Sequence, residues 1–222
     1  MKLDKSGTTK YLWDTLTKLL KAEIFRNYYL VGGTAYSLQI GHRISDDIDL
    51  FTPDKLDKEM ILDFVQNEIS KDFGILKSGN SIYQLYNEKE KLKLDFVCFP
   101  YKLLDPLLEI EGIRMINKND LSAMKVSAVG TRGNEAKDFY DLYCLLKEMP
   151  IEKIFENFQK KYGMDNFWHY QKSVVYFDDV EDSSWNGLRF LKENVSKDTI
   201  KSVLTQAVIE YERNNLMRKN TH

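Results

Sequence analysis

Residues 28–51 read YYLVGGTAYSLQIGHRISDDIDLF and carry the clearest pattern in this 222-residue chain. A short β-type run stops at Gly32 and Gly33, and a helical segment closed by a further glycine follows. A second short strand then contains Asp47 and Asp49. The pattern predicts a strand, a glycine turn, a helix, and a strand that carries two acids.

The two acids of the second strand are predicted to share one face, because side chains alternate along a strand. Asp47 and Asp49 then point away from Ile48 and Leu50, which face the core. Two neighbouring carboxylates repel each other, and folding does not require them. Since hard oxygen ligands suit Mg²⁺, the pair indicates a divalent-cation site. The simpler alternative is a solvated strand end.

Gly32 and Gly33 stand where a strand ends and a helix begins. Without side chains, their backbone N–H groups can approach a phosphate closely, and the helix N-terminus favours an anion. The Thr34 hydroxyl adds a donor. An ordinary turn would explain the glycines by themselves. Their combination with the nearby acids predicts a phosphate cradle beside a metal site.

A third acid lies in residues 91–99, KLKLDFVCF, whose strict alternation predicts a strand. Asp95 shares a face with Lys93, while the leucines face the other way. An acid in so apolar a run costs free energy unless it is paired or metal-bound. Asp95 is therefore either the third carboxylate of a two-metal site or an edge-strand acid paired with Lys93.

The second half of the chain adds charged residues on helices. Lys125 lies among small and apolar residues, where it either reaches water or points at an anion. Arg132 follows in a loop, where it binds phosphate or an Asp. Asp138 lies in the first turn of the next helix, where the helix dipole stabilises an acid. Asp141, one turn further on, is placed to orient Lys125 or Arg132.

The string GGTAYSLQIGHRISDDIDLF resembles the AbiEii/AbiGii toxin family of bacterial abortive-infection and toxin–antitoxin systems. The later block of Lys125, Arg132-Gly133 and Lys137-Asp138 is similar to the same family, so the resemblance covers residues from about 28 to 148. The glycines, the Asp-x-Asp and the later strand Asp also resemble polymerase β-like nucleotidyltransferases. The resemblance implies an α+β fold: a mixed sheet with flanking helices, followed by a mainly α-helical C-terminal part.

The resemblance also implies an activity, the transfer of a nucleoside monophosphate from an NTP to an acceptor hydroxyl. Asp47, Asp49 and Asp95 would hold two Mg²⁺ ions, Lys125 would contact the nucleotide phosphates, and Asp138 would be a further acid of the site. RNA, such as a tRNA 3′ end, is the implied acceptor, and a cognate antitoxin is the implied partner. Transfer to a small molecule or a protein hydroxyl, and a catalytically silent nucleotide- or antitoxin-binding module, stay open as alternatives.

Two polar residues of the same string, Arg43 and Ser45, neighbour the predicted metal acids. Arg43 is predicted either to neutralise the carboxylates or to contact the triphosphate. Ser45 is predicted to support the start of the strand. Together with Gly32, Gly33, Thr34, Lys125 and Arg132, they make up the predicted nucleotide-binding set.

Composition narrows the class of protein. The chain has 32 Lys and Arg against 34 Asp and Glu. This near-neutral balance argues against a domain that coats nucleic acid non-specifically. No stretch is apolar enough for a membrane helix, and the N-terminus lacks an apolar signal core. We therefore expect a cytoplasmic protein with no membrane partner and with reduced thiols at Cys98 and Cys144.

The remaining predictions concern organisation and packing. The pattern shifts to helices near residue 117, so an α/β domain over 1–117 and a helical domain over 118–222 that completes the nucleotide site are predicted. Residues 55–71 are predicted to form one helix, and the acidic stretch 178–182 a solvated loop. Trp185 is predicted to cover a groove or bind a partner. Aromatic residues at helical spacing are predicted to pack in the core; they are Tyr140, Tyr143, Phe155, Phe158, Phe167 and Trp168.

Overall fold

The computed structural model describes residues 2–219, with side chains described through residue 217. The chain divides into two compact units, residues 1–117 and residues 118–222. Within residues 2–219, no helix combines the length and the apolar character that crossing a bilayer requires.

In the N-terminal unit, helices and strands alternate as far as the third helix, and five strands then follow in succession. Its strands are β1 (Tyr29–Val31), β2 (Asp47–Thr52), β3 (Phe73–Ser78), β4 (Ile82–Asn87), β5 (Leu92–Cys98), β6 (Leu108–Ile110) and β7 (Ile113–Met115). Its helices are α1 (Lys10–Lys21), α2 (Gly32–Ile40) and α3 (Lys58–Phe64), with 3₁₀ turns at Lys5–Gly7 and Glu23–Phe25. Gly32 and Gly33 are thus the first residues of α2 and not a separate turn before it.

The strands form a seven-stranded sheet in the order β3-β4-β5-β2-β1-β7-β6. β2 lies inside this sheet, parallel to β5 on one side and antiparallel to β1 on the other. The predicted mixed sheet is therefore confirmed. Ile48 and Leu50 have no exposed surface, whereas Asp47 and Asp49 are partly exposed. Burial alternates along β2 as predicted, and the acids lie on the face opposite these core residues.

The helix predicted over residues 55–71 is shorter and changes geometry. Asp57 has extended backbone and its carboxylate accepts a hydrogen bond of 3.0 Å from the Met60 N–H. A capping residue stands outside the helix, so α3 begins at Lys58. After Phe64 the backbone continues as a π-helical turn over Val65–Ile69.

The C-terminal unit is mainly helical, as predicted. Its helices are α4 (Lys118–Thr131), α5 (Ala136–Leu146), α6 (Ile151–Tyr162), α7 (Trp168–Ser173), α8 (Asp182–Asn186) and α9 (Lys197–Lys219). Helix α4 packs against α5, α6 and α7. The aromatic residues predicted for the core are buried except for one; the buried ones are Tyr140, Tyr143, Phe155, Phe158 and Phe167.

Two predictions for this unit are wrong, and a third holds only in part. Trp168 is 62% exposed, because Phe167 and Tyr170 contact Phe158 in its place. Trp185 is buried beside Phe139 and neither covers a groove nor projects outward. The acidic stretch is only partly a solvated loop, since its last residue begins α8.

A buried ion pair joins α4 to α6. Lys161 Nζ lies 2.6 Å from Asp120 Oδ1, and neither side chain has exposed surface. Nothing in the local sequence predicts this pairing, because the partners are far apart along the chain.

Candidate active site

The acids of β2 and β5 lie side by side in the N-terminal unit. In the parallel pairing of these strands, Asp49 is opposite Asp95 and Asp47 is opposite Lys93. Neighbouring strands are about 4.8 Å apart, and side chains opposite each other project from the same face. The structure therefore brings Asp47, Asp49 and Asp95 together on one face of the sheet.

Gly32 stands directly against this group of acids. Its φ angle is +70°, and a Cβ atom at this position would lie 2.3 Å from Asp49 Oδ2. A side chain here would displace the carboxylate, so glycine is required both by conformation and by space. At Gly33 a Cβ atom would lie 2.2 Å from Nη2 of Arg43. The backbone at the start of α2 is thus held close to the acids.

The polar residues predicted to bind nucleotide around this turn are largely buried. Thr34, Arg43 and Ser45 have 0%, 3% and 6% exposed surface. The Thr34 hydroxyl lies 2.9 Å from Ser45 Oγ and also contacts the carbonyl of Asp47. Arg43 donates a hydrogen bond of 3.0 Å to the Ile44 carbonyl. Arg43 and Ser45 pack close to Gly33. Direct contact of these side chains with a nucleotide stays a prediction.

Asp95 has two partners on one carboxylate oxygen. Its Oδ2 accepts hydrogen bonds from Gln84 at 2.9 Å and from Lys93 at 3.0 Å. Its Oδ1 is buried with no hydrogen-bond partner. The edge-strand alternative is wrong, because β5 lies between β4 and β2. The alternative pairing with Lys93 does occur.

The fit of a divalent cation can be tested on these atoms. Within residues 2–219, no group of three or more His, Cys, Asp or Glu side chains is arranged to hold a metal ion as it stands. The donor chemistry nevertheless suits Mg²⁺, because the cluster offers carboxylate oxygens from two strands. The Lys93 ammonium lies between these acids, 3.0 Å from Asp95 and 3.9 Å from Asp47. By residue type the acids therefore fit a divalent cation, and their part as its ligands stays a prediction.

The charged residues of the C-terminal unit form a second cluster. Lys125 Nζ lies 2.8 Å from Asp138 Oδ1 and also forms an ion pair with Asp141. Arg132 Nε donates a hydrogen bond of 3.0 Å to Asp138 Oδ2. Lys125, Asp138 and Asp141 are buried, whereas the Arg132 side chain is 51% exposed. Lys125 thus reaches two carboxylates instead of water, and Arg132 binds an Asp, which was one of its two predicted partners.

The ionisation of Asp138 depends on this cluster. Burial opposes its charged form, but the Lys125 ammonium and the Arg132 guanidinium outweigh that effect and hold the pKa of Asp138 below its ordinary value of 3.8. The ionised carboxylate is therefore part of the folded structure at neutral pH.

Acidification should remove the contribution of Asp138 to stability. A carboxylate with a lowered pKa stabilises the fold above the unfolded-state value and loses this effect as pH falls through the folded-state value. In urea unfolding, the stability difference between wild type and Asp138→Asn should stay constant above about pH 5 and shrink as pH falls below about 4. A difference that is unchanged at pH 3 would contradict the assignment.

Comparison with known proteins relates this geometry to a family. A family model described as "Nucleotidyl transferase AbiEii toxin, Type IV TA system" matches residues 14–215, which include both clusters. The chain belongs to the AbiEii toxin family. It is a nucleotidyltransferase, and membership implies an NTP substrate, a divalent metal and an antitoxin partner. The resemblance seen in the sequence is therefore confirmed.

Individual relatives match most of the chain. An uncharacterized protein of Aquifex aeolicus is 30% identical over 189 residues, which cover 83% of this chain and 90% of the relative. Two solved structures share the fold. MenT4, a nucleotidyltransferase toxin from Mycobacterium tuberculosis, has a TM-score of 0.61 at 16% identity and covers 89% of this chain and 80% of its own. JHP933 from Helicobacter pylori has a TM-score of 0.56 at 20% identity, with 96% and 94% covered.

Sequence reasoning missed one contact of the AbiEii site. Gln84 donates to Asp95 and thereby helps to orient it. Its position opposite Asp95 follows from the register of β4 and β5, which the local sequence does not reveal.

Gly32→Ala in this AbiEii enzyme should damage activity more than stability. The left-handed conformation costs an L-residue about 1–2 kcal/mol. The clash with Asp49 should lower nucleotidyl transfer by about 100-fold, because a misplacement of about 1 Å has that effect in active sites. Initial rates of transfer and urea unfolding of the same preparation measure the two effects.

Gly112→Ala is the matched control for Gly32→Ala. Its φ angle is +78°, and a Cβ atom there would meet nothing within 4 Å. This variant should show the backbone cost alone and retain transfer activity. Equal loss of transfer in both variants would contradict a specific role for the Gly32–Asp49 contact.

Proposed function

We propose that this AbiEii-family enzyme transfers a nucleoside monophosphate from an NTP to a hydroxyl at the 3′ end of an RNA such as tRNA. The observation that carries the proposal is the contact between Gly32 and Asp49. This closeness supports a site in which backbone amides that suit a phosphate lie beside carboxylates that suit a metal ion. A nucleotide triphosphate bound with a divalent cation needs both kinds of group in one place.

Asp47, Asp49 and Asp95 would hold the metal, in keeping with their shared face on β2 and β5. When bound, two Mg²⁺ ions would neutralise charge on the attacking and leaving oxygens. The backbone N–H groups of Gly32 and Gly33 would bind phosphate oxygens. Such positioning and charge neutralisation supply most of the rate in phosphoryl-type transfer.

The proposed reaction needs only the NTP and the acceptor hydroxyl as reactants. The acceptor hydroxyl oxygen forms a bond to the α-phosphorus of the NTP, and the bond between that phosphorus and the bridging oxygen to the β-phosphate breaks. Pyrophosphate leaves with the electron pair of that bond. The hydroxyl proton passes to the carboxylate of Asp95, one oxygen of which accepts no hydrogen bond in this structure.

The charged cluster of the C-terminal unit is given a separate role in the proposed reaction. Lys125 is occupied by Asp138 and Asp141, so its main task is to hold these acids in place. Arg132 is half exposed, and its guanidinium suits a phosphate group. We therefore assign Arg132 as the phosphate contact of this cluster and Lys125 as the residue that positions its acids.

Labelled nucleotides test the proposal directly. The protein is incubated with Mg²⁺, one α-labelled NTP at a time, and total RNA. We expect label on RNA, and we expect its loss when periodate has destroyed the 3′-terminal diol. Label on protein or on small molecules would contradict the RNA acceptor and leave nucleotidyl transfer in place. Absence of label on every acceptor with every NTP would contradict the proposed reaction.

A further inference from the structure

Lys93 places an ammonium group among the acids of the candidate active site. Its Nζ lies 3.0 Å from Asp95 Oδ2 and 3.9 Å from Asp47 Oδ2. Its side chain is 28% exposed. The ammonium therefore bridges carboxylates from two neighbouring strands, which is where a cation shared by both would have to bind.

The strand register creates this arrangement. Lys93 and Asp95 lie two residues apart on β5, so both project from the face that also carries Asp47 and Asp49. Gln84 donates to the same Asp95 oxygen that receives the Lys93 hydrogen bond. One oxygen of Asp95 thus has two donors, while the other is buried without any. The Asp95 carboxylate is therefore held in one orientation, but only one of its two oxygens accepts hydrogen bonds.

The Lys93 ammonium lies among these acids and partly neutralises their charge.

We propose that Lys93 is the internal counter-cation of this cluster and competes with the divalent metal for Asp47 and Asp95. The inference rests on the proposed function, because it takes these acids as the metal ligands. Lys93 keeps the acids together in the metal-free enzyme and weakens their affinity for a metal ion alone. When an NTP accompanies the metal, its triphosphate offers the displaced ammonium a new anionic partner. Lys93 thereby favours binding of metal and nucleotide together over binding of metal alone.

Mn²⁺ binding without nucleotide tests the competition. Free Mn²⁺ is counted by its electron paramagnetic resonance signal in titrations of the full chain. Lys93→Met should bind Mn²⁺ about tenfold more tightly than wild type, since a charge within about 6 Å shifts such equilibria by about one logarithmic unit or more. Lys93→Arg keeps the charge and should bind Mn²⁺ as wild type does.

Lys89→Met is the matched control. It removes a lysine from the turn that precedes β5, the strand that carries Lys93. Lys89 pairs with Asp72 at 2.9 Å on the surface. This variant should bind Mn²⁺ as wild type does. A general effect of net charge would tighten binding in Lys89→Met as well, and that result would overturn the proposal.

Two further measurements separate competition from a merely structural role. Without metal, Lys93→Met should melt at a lower temperature than wild type, and Mn²⁺ should raise its melting temperature by more than it raises that of wild type. Asp95→Asn should abolish the tight binding. If Asp95 is needed for binding but Lys93→Met binds no more tightly than wild type, the competition is wrong and the proposed metal site stands. If neither wild type nor Lys93→Met shows binding that depends on Asp95, the proposed metal site itself is wrong.

Discussion

Asp49→Asn is expected to lower nucleotidyl transfer by about a thousandfold, the scale of effect seen when charge stabilisation is removed from a transition state. Asp49 lies between Asp95, its partner on the next strand, and Gly32, whose missing side chain leaves room for its carboxylate. An amide at this position keeps the shape and removes the charge that would bind a cation. Asp49 is partly exposed, so the fold should tolerate the change.

Asp46→Asn is the control for this prediction. Asp46 is the neighbouring acid, is exposed, and precedes the first residue of β2. It shares the sequence context of the predicted ligands without lying on their strand face. Its asparagine variant should retain transfer within a factor of about three, because surface changes rarely exceed about 0.5 kcal/mol.

Comparing the transfer rates of Asp49→Asn and Asp46→Asn distinguishes a specific role of the strand acids from a general effect of acidic charge. Initial rates at saturating NTP and RNA measure the effect, and circular dichroism with urea unfolding checks that both variants are folded. Substantial transfer by folded Asp49→Asn would contradict the assignment of the strand acids. Equal loss in both variants would show that the acidic string acts as a whole.

Lys125→Met is expected to destabilise the protein by about 3–5 kcal/mol, the range observed when one partner of a buried ion pair is removed. Lys125 holds two carboxylates, Asp138 and Asp141, which are almost completely buried. Without the ammonium, Asp141 loses its ion pair with Lys125, and Asp138 loses one of its two described cationic partners and keeps the other, Arg132. Urea or thermal unfolding at neutral pH measures the loss.

Two controls define the cause of this instability. Lys172→Met removes a partly exposed ion pair, that of Lys172 with Glu212 at 2.7 Å, and should cost less than about 1 kcal/mol. Adding Asp141→Asn to Lys125→Met should restore part of the stability, because it removes a buried charge that Lys125 no longer balances. A cost for Lys125→Met as small as that of Lys172→Met would contradict the buried cluster.

The burial of Lys125 among these acids affects how a loss of activity in Lys125 variants is interpreted. The family resemblance implies that Lys125 contacts nucleotide phosphates, but in this structure it is buried against acids. An inactive Lys125 variant would therefore reflect unfolding unless it is assayed where it is still folded. Arg132→Met gives a cleaner answer, because its side chain is half exposed.

Local pattern was sufficient for much of the fold. Alternation predicted which faces of β2 and β5 carry Asp47, Asp49 and Asp95. Helical spacing predicted most of the C-terminal helices. Where pattern failed, the reason was competition between neighbours: Trp168 shares its apolar spacing with Phe167 but is displaced from the core by Phe167 and Tyr170.

By itself the sequence determined the family, most of the kinds of element and the strand faces on which the candidate site acids lie, because these depend on short-range geometry and on side-chain type. Tertiary structure alone decided which residues meet. The pairing of Asp49 with Asp95, the contact of Gly32 with Asp49, and the burial of Lys125 between two acids all join different elements. Such contacts arise from strand register and helix packing, which depend on burial of the whole apolar surface. The contacting residues are therefore not separated by any fixed spacing that a sequence pattern could reveal.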